Sequence, residues 1–309
     1  MSTLAQHDFS KTVEKKFYYS EIFYSIQGEG HYTGVPTAWI RFFLCNLQCS
    51  GFGQIDPTNP ETYDLPFEDF DVKSVSKVED LPVWEKGCDS SYTWAKKFKE
   101  LMGQETPSAM AKKIVDCIKN ESNPEGKFIH PVSKQHQHLC FTGGEPLMVT
   151  GQQATVGIYN TLKEQDNLPG SMTFETNGTQ ILRQPFIDWV NEIDTEVFFS
   201  CSPKLFTVSG EKTEKAIKPE IVAEYYKLSK AGQLKFVVGP LQREWDEMEE
   251  AIEKFRSAGV EWPVWVMPTG AREEEQTATA GDVAQKAFQR GYNVAARVHV
   301  YLFGNKIGT

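Results

Sequence analysis

Nowhere in its 309 residues does the sequence offer the roughly 20 consecutive apolar positions that a bilayer-spanning helix needs, so it does not read as a helical membrane protein. The opening stretch MSTLAQHDFSKTVEKKF lacks the apolar centre of a signal peptide, and a cytoplasmic location is expected. Positive charge is in short supply: 32 Lys and Arg stand against 42 Asp and Glu, a net charge of −10. The field of the whole chain gives phosphate backbones no attraction, and no direct nucleic-acid partner is expected. A small anionic substrate would have to be met by a few local basic side chains. Cysteine is sparse, with six residues that, in a reducing compartment, do not read as a disulfide framework. Internal repeats and low-complexity tracts are absent. What is there is an ordinary globular composition, 40% apolar and 24% charged, long enough to bury a sizeable core.

β-rich runs are expected at 21–26, 37–44, 138–141, 171–175, 196–201, 233–238, 263–266 and 295–303. Amphipathic helices are expected between them, near 154–164, 184–193, 219–230, 244–258 and 281–290. Another opens at Thr106-Pro107, a capping residue followed by proline at the first helical position. Strands alternating with helices predict a parallel α/β sheet, open or curled into a barrel. One stretch breaks the rhythm: residues 50–87 are rich in Pro, Asp and Glu and show no sustained period. They carry Phe67, Phe70, Val83 and Trp84, so an ordered excursion packed on the barrel exterior is expected rather than a disordered linker.

The chemistry-bearing residues fall at strand ends. The strand 37–44 runs into Cys45-Asn46-Leu47-Gln48-Cys49, and thiolates grouped in a loop can converge on a soft metal or an iron–sulfur cluster. Two cysteines alone would serve zinc or simple packing equally well. Phe141–Pro146 reads FTGGEP, Phe174–Thr179 reads FETNGT and Ser200–Leu205 reads SCSPKL. Ligands of α/β folds bind at the carboxyl ends of strands, where these polar segments lie. Cys117, Cys140 and Cys201 sit inside helical or extended runs and read as packed thiols.

The segment EIFYSIQGEGHYTGVPTAWIRFFLCNLQC, followed in order by FTGGEP, FETNGT and SPK, resembles the 7-carboxy-7-deazaguanine synthases, members of the radical S-adenosylmethionine superfamily. The resemblance runs from about residue 18 to the end, and IQGEG ahead of C-x3-C is its most specific part. It implies a single domain over 1–309 folded as a partial (β/α)6 barrel akin to the TIM barrel, with a long inserted segment at 50–87. It implies a [4Fe–4S] cluster on three cysteines, whose open iron takes S-adenosylmethionine, and a Mg²⁺ ion. The implied reaction is ring contraction of 6-carboxy-5,6,7,8-tetrahydropterin to 7-carboxy-7-deazaguanine with loss of ammonia. An electron donor such as a flavodoxin or ferredoxin and a homodimeric state come with it.

The sequence departs from the family at the third cysteine. The family carries C-x3-C-x2-C, yet the third position here is Phe52, which cannot ligate iron. Its third cysteine usually precedes Asp-Thr, and this chain offers Cys88-Asp89-Ser90. The implied cluster ligands are therefore Cys45, Cys49 and Cys88, with the excursion between the second and third. A degenerate site with Cys88 as a loop thiol is the alternative. Ser90 stands where the family's threonine ligates Mg²⁺; helix capping is the other reading of that serine. Substrate contacts carried over are Ile26, Gln27, Gly28, Arg41, Thr142 and the terminal Thr309, with the Arg41 guanidinium suited to a carboxylate. Cofactor contacts carried over are Asp89, Gly144, Glu145, Ser202, Pro203, Lys204 and, more loosely, Met267, Pro268, Thr269 and Gly270. Two rivals remain at this stage: a radical activase of a glycyl-radical enzyme, which lacks IQGEG, and a non-enzymatic protein with a structural zinc site.

Overall fold

The computed structural model describes Phe9, residues 15–304 and residues 306–308. An antiparallel ribbon opens the fold. β1 (Phe17–Ile26) pairs with β2 (Pro36–Phe42), and β3 (Gly103–Glu105) adds to the other side of β1. From β2 onward every neighbour is parallel: β4 (His138–Gly143), β5 (Ser171–Thr176), β6 (Glu196–Cys201), β7 (Gly232–Val238), β8 (Val264–Pro268) and the short β9 (Asn293–Val294). Helices α1 (Pro107–Ile118), α2 (Val149–Glu164), α3 (Gln184–Glu192), α4 (Pro219–Leu228), α5 (Gln242–Ser257) and α6 (Glu273–Gln289) alternate with the strands from β2 to β9. The result is the expected α/β architecture of six β/α units. The sheet keeps two edges, β3 and β9, among the described residues, so the barrel is partial. No helix among the described residues is long and apolar enough to cross a membrane.

Strand alternation divides the two faces by chemistry. Ala38, Ile40 and Phe42 of β2, Leu139 and Phe141 of β4, Phe174 of β5, Phe199 of β6 and Phe236 of β7 belong to the main apolar core. The residues that alternate with them are Trp39 and Arg41, His138, Cys140 and Thr142, Thr173 and Glu175, Phe198 and Ser200, and Gln233, Lys235 and Val237, a largely polar set that is itself mostly buried. The sheet curls around this polar side. In a flat sheet β1 and β7 would lie about 24 Å apart, five strand spacings. Yet Glu29, in the loop after β1, meets Lys235 of β7 at 2.7 Å, and the His31 backbone N–H donates to Gln233 at 3.0 Å.

Two expectations are corrected. The run 295–303 is not a strand: after β9 the chain turns, and Val298–Phe303 forms a short helix, α7. Short runs rich in apolar and β-branched residues do not distinguish strand from helix by periodicity. Here Arg297 is drawn to Glu29 and Asp89, and Val298 N–H donates to the Gly28 carbonyl, which turns the chain across the barrel mouth. The excursion 50–87 does not pack on the outer helical face. Phe67 and Trp84, each 4% exposed, join Phe43, Tyr92 and Phe98 in a second apolar cluster beside the mouth, and Val83 faces a cavity.

Candidate active site

The cysteine loop is pinned from both sides. After β2 the chain passes through Leu44 at φ 102, a left-handed conformation that strains a residue with a side chain. Its N–H donates to the Thr93 carbonyl at 2.7 Å, and its carbonyl accepts from Glu145 N–H at 2.8 Å. The paired glycines of FTGGEP are required by this contact. A Cβ on Gly143, at φ +128, would lie 2.2 Å from the Phe42 carbonyl oxygen, and one on Gly144 2.2 Å from that of Leu44. Asn177 of FETNGT holds the loop further, donating to Asn46 Oδ1 at 3.1 Å and to Cys45 Sγ at 3.8 Å.

Cys88 arrives beside this loop through a closed neck. Gly87 N–H donates to the Phe52 carbonyl at 2.7 Å, and a Cβ on Gly53, at φ +68, would lie 2.5 Å from the Glu85 carbonyl oxygen. The two ends of the excursion thus touch. Cys45, Cys49 and Cys88 line one cavity of about 610 Å³. All three thiols are free of disulfides. Burial pushes Cys45 up to about 12, helped by the charge of Glu145, and raises Cys49 and Cys88 too. Loading such a site with iron must therefore release protons. Among the described residues no three His, Cys, Asp or Glu side chains converge on a single ion. A cluster asks something different, one thiolate on each of three irons, and the donor set of three unpaired thiols on one cavity wall, with Leu47 N–H donating to Cys45 Sγ at 3.4 Å, fits that demand.

The large cavity is also lined by Asp89, Gly144, Ser202, Lys204, Met267, Pro268, Thr269 and Gly270. Glu145 and Pro203 are not on its wall. The Glu145 carboxylate instead accepts from Asn177 N–H at 2.7 Å, Thr176 Oγ1 at 2.8 Å and Leu147 N–H at 2.9 Å, and burial raises its pKa to about 7. A second cavity of about 150 Å³ adjoins the first and is lined by Ile26, Gln27, Gly28, Arg41 and Thr142, with Ile307 and Gly308. Thr309 lies outside the described residues. Ser90 lines both cavities. It precedes the short turn Ser91–Thr93 without capping it, and its hydroxyl donates to Asp89 at 3.0 Å.

The sequence reading missed the charged chain that joins the two cavities. Lys235 lies between Glu29 at 2.7 Å and Glu175 at 2.8 Å. Glu29 continues to Arg297 at 3.0 Å, and Arg297 to Asp89 at 3.0 Å. Their mutual attraction outweighs burial, holding Glu29 well below and Lys235 well above their ordinary values. Arg41 is oriented by Glu21, which accepts from its Nε at 2.6 Å and from the Tyr92 hydroxyl at 2.9 Å. Both guanidinium NH₂ groups are left clear of that bond. One signal was available in advance: a lysine inside the largely apolar strand QLKFVV is anomalous unless paired.

No protein-family model matches the chain. It is similar along nearly its whole length to proteins named 7-carboxy-7-deazaguanine synthase. The one from Rhodopirellula baltica is 24% identical over 97% of this chain and 91% of its own, and the one from Halobacterium salinarum 26% identical over 93% and 90%. That of Bacteroides thetaiotaomicron is 42% identical over 72 residues, 23% of this chain and 37% of its own. The crystal structure of QueE from Escherichia coli overlays 92% of this chain and 95% of its own at 17% identity with a TM-score of 0.48, too loose a match to add weight.

Proposed function

We propose that this chain is itself a 7-carboxy-7-deazaguanine synthase, a radical S-adenosylmethionine enzyme that contracts 6-carboxy-5,6,7,8-tetrahydropterin to 7-carboxy-7-deazaguanine with loss of ammonia. In class it is a carbon–nitrogen lyase, making a precursor of queuosine or of modified DNA. The observation that carries the reading is the partition of the cavities. The residues carried over as substrate contacts, Thr309 aside, line the small one, and most of those carried over as cluster or cofactor contacts line the large one. The two share Glu29, Arg41, Asp89, Ser90, Thr142, Glu175 and Arg297, so ligands in each would touch.

In this reading Cys45, Cys49 and Cys88 hold the cluster, and Gly144, Ser202, Lys204 and the segment Met267–Gly270 hold S-adenosylmethionine against it. Together these groups supply hydrogen-atom abstraction from the substrate. Arg41 takes the substrate carboxylate through its free NH₂ groups while Glu21 fixes its angle. Gln27 is held by Glu175, its Nε2 donating at 3.2 Å, and it orients the pterin edge with Thr142. The Ser90 hydroxyl offers Mg²⁺ one protein oxygen, the remainder coming from water or substrate. Glu175 lines the seam and Lys235 the large cavity beside it, where fixed charges replace water around the reacting centre. A cytoplasmic location, a flavodoxin or ferredoxin as electron donor and a homodimer complete the reading. Anaerobic reconstitution with iron and sulfide, followed by turnover with the pterin, S-adenosylmethionine, reductant and Mg²⁺, tests it. A 7-deazapurine product is expected. Cofactor cleavage without pterin consumption would overturn the substrate assignment in favour of an activase.

A further inference from the structure

The strongest hold on the cysteine loop comes from outside every motif named above. After β6 the chain makes one turn of helix, Phe206–Ser209, then passes through Gly210 in the left-handed region to Glu211. The Glu211 side chain is 9% exposed. Its Oε1 accepts two backbone donors, Gln48 N–H at 2.6 Å and Cys49 N–H at 2.8 Å. Its other oxygen pairs with half-exposed Lys215 at 3.0 Å. Beside it the Ser209 carbonyl accepts Gly51 N–H at 2.9 Å, and Ala216 packs against Leu47 and Cys49. Cys49 needs this support. Its φ of 52 lies in the left-handed region, which a side-chain-bearing residue rarely adopts unaided.

We propose that Glu211 is a positioning residue for the iron–sulfur cluster and lowers its reduction potential, by tying up two loop N–H groups and placing a negative charge behind Cys49. The inference rests on the reading of Cys45, Cys49 and Cys88 as cluster ligands. Hydrogen bonds to cluster sulfurs and the net charge nearby both set such a potential. An N–H aimed at sulfur stabilises the reduced, more negative state; one bound to a carboxylate is withdrawn from that role. The carboxylate charge itself opposes an added electron. Both effects act in the same direction. Lys215 offsets part of the charge from the solvent side, and Lys204 faces Cys45 and Cys49 as a second cation.

The test uses the full chain, reconstituted anaerobically. Glu211→Gln keeps a carbonyl oxygen for the two N–H groups and removes the charge. It is expected to bind wild-type amounts of iron and sulfide while its potential, titrated by absorbance and by the paramagnetic resonance of the reduced cluster, moves positive. Lys215→Met, which leaves the carboxylate unopposed, is expected to move it negative. Glu211→Ala removes the acceptor as well, and slower or incomplete cluster uptake is expected. A fully loaded Gln variant with an unshifted potential would overturn the electrostatic role. An Ala variant that loads as fast as wild type would overturn the positioning role. If Glu211→Ala does not fold, the Gln and Met variants still decide the first. Failure of the wild-type chain to take up iron would instead overturn the ligand reading beneath both.

Discussion

Replacing Lys235 by methionine tests the charged chain at its centre. The ammonium is 3% exposed as a side chain and lies 2.7 and 2.8 Å from the carboxylates of Glu29 and Glu175. At an effective dielectric of about 20, each contact contributes roughly 6 kcal/mol of attraction before desolvation is subtracted. The net effect of losing one partner of a buried pair is smaller, about 3–5 kcal/mol, and comes mainly from the charge left behind. Here the orphaned groups keep other partners. Glu29 retains Arg297 at 3.0 Å, while Glu175 retains Gln27 at 3.2 Å and Ser200 at 2.9 Å. The lower end, about 3 kcal/mol, is therefore expected. With a urea dependence of roughly 3 kcal/mol per molar for a chain of this size, the midpoint should fall by about 1 M. Equilibrium urea denaturation followed by tryptophan fluorescence measures it. A midpoint unchanged within about 0.2 M would show that water screens the chain and that the ion pairs do not hold the barrel mouth.

Cys88→Ala is expected to abolish cluster assembly as completely as Cys45→Ala or Cys49→Ala, whereas Cys117→Ala, Cys140→Ala and Cys201→Ala retain iron; full iron in Cys88→Ala would refute the displaced ligand. Arg41→Lys, which loses the guanidinium fork but not the charge, should raise KM for the pterin by roughly tenfold with iron content unchanged. An unchanged KM would remove Arg41 from the substrate carboxylate. His138 is buried between the hydroxyls of Ser171 and Thr173, each at 2.7 Å, and burial holds its imidazole down to about 3 from an ordinary 6.5. The unfolded chain takes up that proton first, so stability is lost as pH falls from 6.5 towards 3, by at most about 1.4 kcal/mol per pH unit. His138→Asn should flatten this part of the profile, and equal losses in both proteins between about pH 7 and pH 5 would refute it.

The strands were legible because their apolar faces must reach the helices. β4, β5 and β6 match their expected spans to within two residues. β3 was not legible: three residues, Gly103–Glu105, carry no pattern, and pairing with β1 alone defines them. Ala295–Phe303 misled because Val298 and Val300 alternate as they would in a strand, whereas in α7 they point to different sides and only Val300 is buried. Among the candidate site residues, those in contiguous motifs could be read from their neighbours. The pairing of Glu29 with Lys235, or of Arg297 with Asp89, could not, because partners some two hundred residues apart meet only when the barrel curls. Glu211 shows the same limit, since a carboxylate that binds main-chain N–H groups leaves no complementary side chain to look for.

The neck between Phe52 and Gly87 separates two lengths that a spacing motif treats as one. Counting residues between ligands measures contour, and the chain from Cys49 to Cys88 has roughly 130 Å of it. A cluster responds only to where the ends of that contour lie, and the Gly87 N–H to Phe52 carbonyl bond brings them together at 2.7 Å. The excursion is attached to the cysteine loop much as a side chain is attached to a backbone. Its size can change while the thiols keep their places, so long as the neck persists and Phe67 and Trp84 keep their cover over Phe43.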